Sequence, residues 1–322
     1  MADRGRAGRG FMKYAVISDV HGNMDALEAV LEDAARQPAD AYLFIGDYCL
    51  SLPFPEQVIR RIAGLKHACV IQGNEEQYIE KMQGEDEVRW EGGQMHISCW
   101  CAHALSAESR IFLQGLPEKM SFRDAESGIG FHMAHSSGNF IGKAELGKFS
   151  CPTIPLMYRE GELKHRRLLE DIRSHLNENQ EFQEQCGKLE DGVYLFGHSH
   201  IQWFIESGKK VFINPGSCGL PMDSCEPGAP YTLISTGKGG ISVEERRVPY
   251  DIEGFIKKFR KSDQYKRVPV WSGIRIRELR TRREHLYYFL EYAERYAQRT
   301  GDPIRPFTQK TWEGAYEEWA EI

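Results

Sequence analysis

Four short, continuously apolar runs stand out along the chain, and each ends at a glycine or at a side chain able to bind a metal. Residues 14–18 lead into Asp19, 42–45 into Gly46-Asp47, 68–71 into Gly73-Asn74, and 193–196 into Gly197-His198. Runs of this length, rich in β-formers and bounded by glycine, are what strands buried on both faces look like. Their carboxyl ends are expected to converge, because ligands bind in the crevice outside those ends in open α/β sheets. Gly46, Gly73 and Gly197 permit tight turns beside that crevice.

Between these runs the period changes to that of helices. A helix is predicted from about Met24 to Arg36, with Asn23 in the N-cap position. Residues 92–116 carry one helical pattern through Trp100, Ala104, Leu105 and Phe112, stopped at Leu116-Pro117. Residues 136–160 are loop-like, with glycines at 138, 142 and 147 and prolines at 152 and 155, and a densely charged helix follows from about Glu160 to Asn177. Residues 231–234 and 241–244 read as a hairpin around the glycines at 237, 239 and 240. A long helix is predicted from Ile276 to Gln298, its apolar stripe running through Leu279, Leu286, Phe289, Leu290 and Ala293 to a stop at Gly301-Asp302-Pro303. Trp312, Tyr316 and Trp319 then recur at helical spacing.

With 41% hydrophobic residues in 322, the chain can bury a sizeable core, enough for one large domain with an appendage or for two domains. No apolar run approaches the roughly 20 residues of a membrane helix. Residues 1–10 bring charge with no apolar segment after it, which reads as a disordered leader and not as a secretory signal, with Met12 an older start. The eight cysteines form no disulfide framework and no C-x-x-C, so reduced thiols in a cytoplasmic protein are expected. Cys49 and Cys218 fall near the crevice and read as small buried hydrophobes.

Charge is unevenly placed. Eleven Lys or Arg lie between 257 and 283 (257, 258, 260, 261, 266, 267, 275, 277, 280, 282, 283) against acids at 263 and 278. That segment carries +9 in a chain of net −6, so the remainder carries −15. Residues 250–322 are therefore expected to dock on that acidic body or on a second subunit, as a basic helical extension to a domain of residues 12–249 behind a leader of residues 1–11.

The candidate chemistry lies at the run ends. Asp19, His21, Asp47, Asn74, His135, His198 and His200 supply the hard oxygen and imidazole donors that a pair of divalent ions needs, including one ligand to share. His135 is preferred to His132, which is expected on the same strand face but deeper, packed in the core or supporting a ligand from behind. Asp19, Asp47 and Asn74 taken singly read equally well as turn or cap residues; the ordered set points to metal. His67, His96, His103, His165, His175 and His285 have no liganding partners at useful spacing and read as solvated or packed.

The order Asp19-Val20-His21, Gly46-Asp47, Gly73-Asn74, His135 and Gly197-His198-Ser199-His200 resembles the calcineurin-like metallophosphoesterase superfamily over residues 13–247. The turn Asn214-Pro215-Gly216-Ser217 is similar to that of its prokaryotic small phosphodiesterase branch. The resemblance implies a four-layer α/β/β/α sandwich, here with a C-terminal helical extension. It also implies two divalent ions (Mn, Fe, Zn, Co or Ni), one on Asp19, His21 and His200, the other on Asn74, His135 and His198, with Asp47 between them. Asp47, Asn74 and His135 are then the catalytic set, and in-line attack by a metal-bridging hydroxide the implied mechanism. Where the family usually has a histidine after the Asn, this chain has Glu75. Asn23, Glu75, Lys143 and Arg159 are candidate substrate contacts. The expected activity is hydrolysis of phosphate esters, diesters ahead of monoesters, on a small phosphoester or nucleotide substrate. Alternatives are a nuclease using the basic segment, or a catalytically weak metal-binding or regulatory module. A homo-oligomer through the C-terminal helices is a further expectation.

Overall fold

The computed structural model describes residues 11–82, 90–142 and 165–320. Two five-stranded sheets form its centre. The first contains β1 (Phe11–Ile17), β2 (Ala41–Phe44), β3 (Ala68–Val70), β9 (Ala229–Gly237) and β10 (Gly240–Val248), in the order β10-β9-β1-β2-β3. The second contains β4 (Lys119–Arg123), β5 (Gly130–Ala134), β6 (Gly192–Leu195), β7 (Gln202–Ser207) and β8 (Lys210–Pro215), in the order β4-β5-β6-β8-β7. β1 opens one residue inside the expected leader, with Phe11 paired to Gly237.

Strand alternation separates the layers. Tyr14, Val16, Leu43 and Ile45 of the first sheet meet Phe131, Met133, Val193, Leu195 and Ile213 of the second in one core. Ala15 and Ile17 point the other way, onto a core with Leu27, Val30 and Leu31 of α1 (Met24–Arg36) and Ile59 and Ile62 of α2 (Pro55–Ala63). Tyr194 and Phe212 likewise face α7 (His165–Glu178) and α8 (Gln180–Lys188) on the outer side of the second sheet. This is the expected four-layer sandwich, with α1 bounded as predicted because the Asn23 side chain accepts the Ala26 N–H and caps it.

Two helical expectations need correction. The pattern over 92–116 is divided into α4 (His96–Ala104) and α5 (Ala107–Gln114), because Ser106 caps the second by accepting the Ser109 N–H. The helix expected over 276–298 is likewise two, α11 (Pro269–Thr281) and α12 (Leu286–Thr300). Between them Arg282 is left-handed (φ 54°), and the buried Glu278 carboxylate accepts the His285 and Leu286 N–H groups at 2.9 and 2.8 Å, capping α12 from the preceding helix. The stop at Gly301 is as predicted, in the left-handed conformation that glycine adopts without strain.

The C-terminal helices lie on the sandwich of the same chain. Phe255, Ile256 and Phe259 of α9 (Ile252–Lys261) and Ile276 and Leu279 of α11 pack with Leu52, Leu220 and Met222. Phe289 of α12 is fully buried against Trp312, Tyr316 and Trp319 of α13 (Gln309–Ala320), its ring 4.7, 5.7 and 5.3 Å from theirs. Burial of each such side chain contributes roughly 1.5–3 kcal/mol. Of the basic residues, Lys258 meets Asp25 on the sandwich, whereas Arg280 and Arg275 pair with Glu253 and Glu278 within residues 250–322 itself. No helix among the described residues is long and apolar enough to cross a membrane.

One pH effect follows from this packing. Burial, then the charge of Arg277, push His285 down to about 4, with Arg283 adding to and Glu284 opposing the shift. Its depressed basicity means the unfolded chain binds a proton below pH 6.5 that the folded protein refuses until about pH 4. Stability is therefore full above pH 6.5 and falls as pH drops toward 4. After discounting for partial solvent exposure the loss is about 1–2 kcal/mol. Urea melts at both pH values, on the parent and on His285→Gln, check this; the variant is expected to flatten the difference.

Candidate active site

The expected strand ends meet at one edge. β1, β2 and β3 run parallel, as do β5 and β6, and their carboxyl ends carry Asp19 and His21, Asp47, Asn74, His135 and the 197–200 loop. Backbone bonds staple these loops together. Asp19 N–H donates to Gly46 O at 3.0 Å, His21 N–H to Asp47 O at 3.0 Å, and Gly197 N–H to His135 O at 2.9 Å. The turn after β8 adds a further tie: Asn214 Nδ2 donates to Gly197 O, and Ser217 Oγ to Asp19 O, at 2.7 Å each.

The backbone at this edge is strained. Asp19, His21, Asp47, His198 and His200 all have positive φ, between 52° and 68°. Side chains rarely adopt that region, at a cost of about 1–3 kcal/mol each, and such residues gather where function requires a direction that relaxed backbone does not give. Two glycines make the approach possible. A Cβ on Gly46, itself at φ 101°, would lie 2.6 Å from the Gly73 backbone and 2.7 Å from His135 Nδ1, and one on Gly197 would lie 2.0 Å from Ser18 Oγ.

The donor atoms fall into overlapping groups, each within 4.8 Å: Asp19, His21 and His200; Asp47, His135 and His198; and His21, Asp47 and Glu75. Asn74 joins the second through its Oδ1, 2.9 Å from His198 Nδ1. Three imidazoles have a fixed tautomer. Nδ1–H donates to Glu75 Oε2 at 2.8 Å in His21, to Ile45 O at 2.7 Å in His135 and to Leu220 O at 2.9 Å in His200, since each partner can only accept. His21 and His200, as neutral rings, therefore turn a lone pair on Nε2 inward. The two nitrogens face each other at 3.0 Å, with Asp19 Oδ1 3.4 Å from that of His200. Two lone pairs and a carboxylate at that separation repel unless positive charge lies among them, so the donor set fits a cation.

The electrostatics agree. Burial, then the charge of Asp47, push Asp19 above the usual carboxylate range, although His135 and His21 oppose them. Burial would depress His135, but the charge of and hydrogen bond to Asp47 prevail and raise it to about 10. His135 Nε2 lies 3.2 Å from Asp47 Oδ2, the contact through which Asp47 acts on the ring. Buried carboxylates that hold this much basicity on an imidazole are short of positive charge.

Several expectations change. Glu75 is buried, its Oε2 on His21 and its Oε1 accepting from Ser51 Oγ at 3.1 Å, so it stands behind a ligand and not at the mouth. Asn23 is fully buried, its Nδ2 donating to Gly219 O and Tyr250 OH, which makes it a cap and a tether in place of a substrate contact. His132 points to the outer face of its sheet, stacked on Tyr194 at 4.7 Å, because it alternates with Phe131 and Met133. His165 does find partners, with donor atoms of Asp223 and Cys225 within 4.8 Å, although the Asp223 carboxylate is ion-paired with Arg247. Lys143 and Arg159 lie outside the described residues.

Two residues escaped the sequence reading. Glu76 accepts the Asp47, Tyr48 and Gly73 N–H groups at 2.9, 2.8 and 2.7 Å, and so holds the Gly46-Asp47 loop in place. Its place at the third position after Gly73, where a capping glutamate sits, is the signal that would have found it. Arg275 of α11 is buried close enough to Glu75 to affect it electrostatically. Nothing local marks that residue.

Residues 12–202 match the calcineurin-like phosphoesterase family. An uncharacterized protein of Methanocaldococcus jannaschii is 26% identical over 262 residues, 81% of this chain and 96% of that protein. Among solved structures, a metallophosphoesterase from Sphaerobacter thermophilus superposes with a TM-score of 0.55 at 20% identity, over 84% of this chain and 99% of that one. A hypothetical protein from Pyrococcus horikoshii OT3 gives 0.51 at 20% identity, over 81% and 97%. These two likenesses concern the fold, whereas the family match spans all seven candidate ligands. On that match the chain belongs to the calcineurin-like phosphoesterase family and is a metal-dependent phosphoesterase.

Proposed function

We propose that the protein hydrolyses phosphodiesters in preference to monoesters at a pair of divalent ions. Asp19, His21 and His200 would hold one ion, Asn74, His135 and His198 the other, and Asp47 would be shared. The observation that carries this reading is the inward pair of imidazole nitrogens at 3.0 Å beside Asp19, with the Asp47–His135–His198 group adjoining it. Bound divalent ions supply Lewis-acid charge and lower the pKa of a coordinated water toward neutrality.

The chain's own residues set the rest. Asp47 is fixed between the groups by accepting the Glu75 N–H at 2.9 Å and by its contact with His135. His198, the exposed imidazole of the set, keeps Asn74 oriented, and the Asn74 amide nitrogen is a donor for a phosphoryl oxygen. Glu75, occupied by His21, offers no proton at the position where the family usually has histidine, which favours esters with good leaving groups. Pairing of Lys258, Arg275 and Arg280 within the chain supports a small phosphoester over nucleic acid as substrate.

The test is hydrolysis of an aryl phosphodiester, an alkyl phosphodiester and an aryl monoester with manganese, before and after chelation. The aryl diester is expected to be cleaved fastest and chelation to abolish the reaction. Absence of turnover with manganese, iron, zinc, cobalt and nickel would overturn the proposal. Tight binding of DNA or RNA that weakens steeply with salt would favour the nuclease reading instead.

A further inference from the structure

We propose that His165, Asp223 and Cys225 form a further cation site, separate from the phosphoesterase centre and suited to zinc. One ligating atom of each lies within 4.8 Å of the other two. They converge from two distant stretches of chain: His165 is the first residue of α7, and Asp223 and Cys225 flank Ser224 in the segment after β8. Ser224 is left-handed (φ 52°), so the chain turns there, and the side chains before and after it reach the same imidazole. None of the three belongs to the ligand set proposed above, and the inference stands without that set.

The donors name the class of ion. Imidazole with thiolate selects zinc over manganese, and three protein ligands leave a fourth position for water. Polar atoms at this place also lack partners: His165 Nδ1, Ser224 Oγ and Arg247 Nη1 are buried without a hydrogen bond among the described residues. The Asp223 carboxylate is fully buried, its Oδ1 accepting the Cys225 N–H at 3.2 Å and its Oδ2 paired with Arg247. Those contacts do not exhaust it, since a carboxylate offers about four lone-pair sites and ligating carboxylates are themselves held by outer hydrogen bonds. Arg247 balances one negative charge; a Cys225 thiolate adds a second, which the ion answers. Binding breaks the Cys225 S–H bond, sends that proton to solvent and forms the metal–sulfur bond. The segment also serves the catalytic edge. The Leu220 carbonyl accepts the His200 Nδ1–H at 2.9 Å, and the Met222 N–H donates to His200 O at 3.1 Å. An ion that joins this segment to α7 therefore braces the strap on which His200 is oriented.

Titration of metal-stripped, full-length protein with zinc, cobalt and manganese tests the proposal. Zinc is expected to load one more ion per chain than manganese, which binds thiolate poorly. Cobalt should produce the intense near-ultraviolet charge-transfer band of a thiolate-bound ion, which the candidate catalytic ligands, having no cysteine, do not give. Cys225→Ser should abolish that band and remove one zinc. His165→Ala should weaken the same zinc by more than the roughly 10–100-fold that loss of an outer partner costs. Neither change should alter the manganese count. Cys225→Ala and His165→Gln carry the same expectations if the first pair does not fold. Equal zinc and manganese counts in the parent, or zinc uptake with no charge-transfer band from cobalt, overturns the proposal whatever the variants do. So does a band that persists in Cys225→Ser, which would place the ion on another cysteine. No readout here depends on turnover, so failure of this site and failure of the proposed function are told apart.

Discussion

Replacing Asp47 by alanine is expected to lower phosphoester hydrolysis by roughly a thousandfold or more in a protein that stays folded. The carboxylate is 2% exposed, and its two oxygens serve the site: Oδ1 accepts the Glu75 N–H and Oδ2 lies 3.2 Å from His135 Nε2. The loop does not depend on that side chain. The Asp47 N–H remains on Glu76, and its carbonyl still accepts the His21 N–H. Removing the carboxylate leaves the Glu75 N–H without its acceptor and His135 without its partner, so a modest fall in melting temperature is expected while the fold persists and activity is lost. Metal analysis should fall from about two ions per chain in the parent. Asn74→Ala is expected to act in the same direction. Full activity with full metal content in either variant would remove these residues from the centre.

Glu76→Leu is expected to destabilise the fold by about 3–9 kcal/mol, because each of three buried backbone donors left without an acceptor costs about 1–3 kcal/mol. The three donors are the Asp47, Tyr48 and Gly73 N–H groups, and Cys49 Sγ, 3.4 Å from Oε1, loses its acceptor as well. Glu76→Gln keeps one oxygen but turns an NH2 group against a donor, so an intermediate loss is expected. Urea denaturation should show a lower midpoint with an unchanged slope, the mark of a stability change without a change in the surface exposed on unfolding. A loss below about 1 kcal/mol in Glu76→Leu would mean that the staples from Asp19 and His21 hold the loop without it.

Much of what consecutive residues record was read correctly, although the Ser106 cap and the place of Glu76 after Gly73 were local signals too. The four apolar runs form strands at the expected places because a strand buried on both faces needs only local composition to declare itself, and α1 begins and ends as predicted because its cap is the next residue in the chain. The candidate ligands were visible for the same reason, each closing a run beside a turn glycine. The break between α11 and α12 was not visible, since no glycine or proline marks 282–285 and the cap is a carboxylate seven and eight residues back.

The sequence by itself therefore determined the strands of the four apolar runs and the C-terminal hairpin, the bounds of α1 and the identity of the chemistry-bearing side chains. Only the tertiary structure decided which way those side chains point. His132 falls on the helix-facing side of its sheet through the parity of its strand, Asn23 turns to Gly219 and Tyr250, and Glu75 turns to His21. Capping, periodicity and turn preference act between neighbours and are written in adjacent letters. The partner of a buried polar group is chosen when distant segments pack, and no local pattern records which segment arrives.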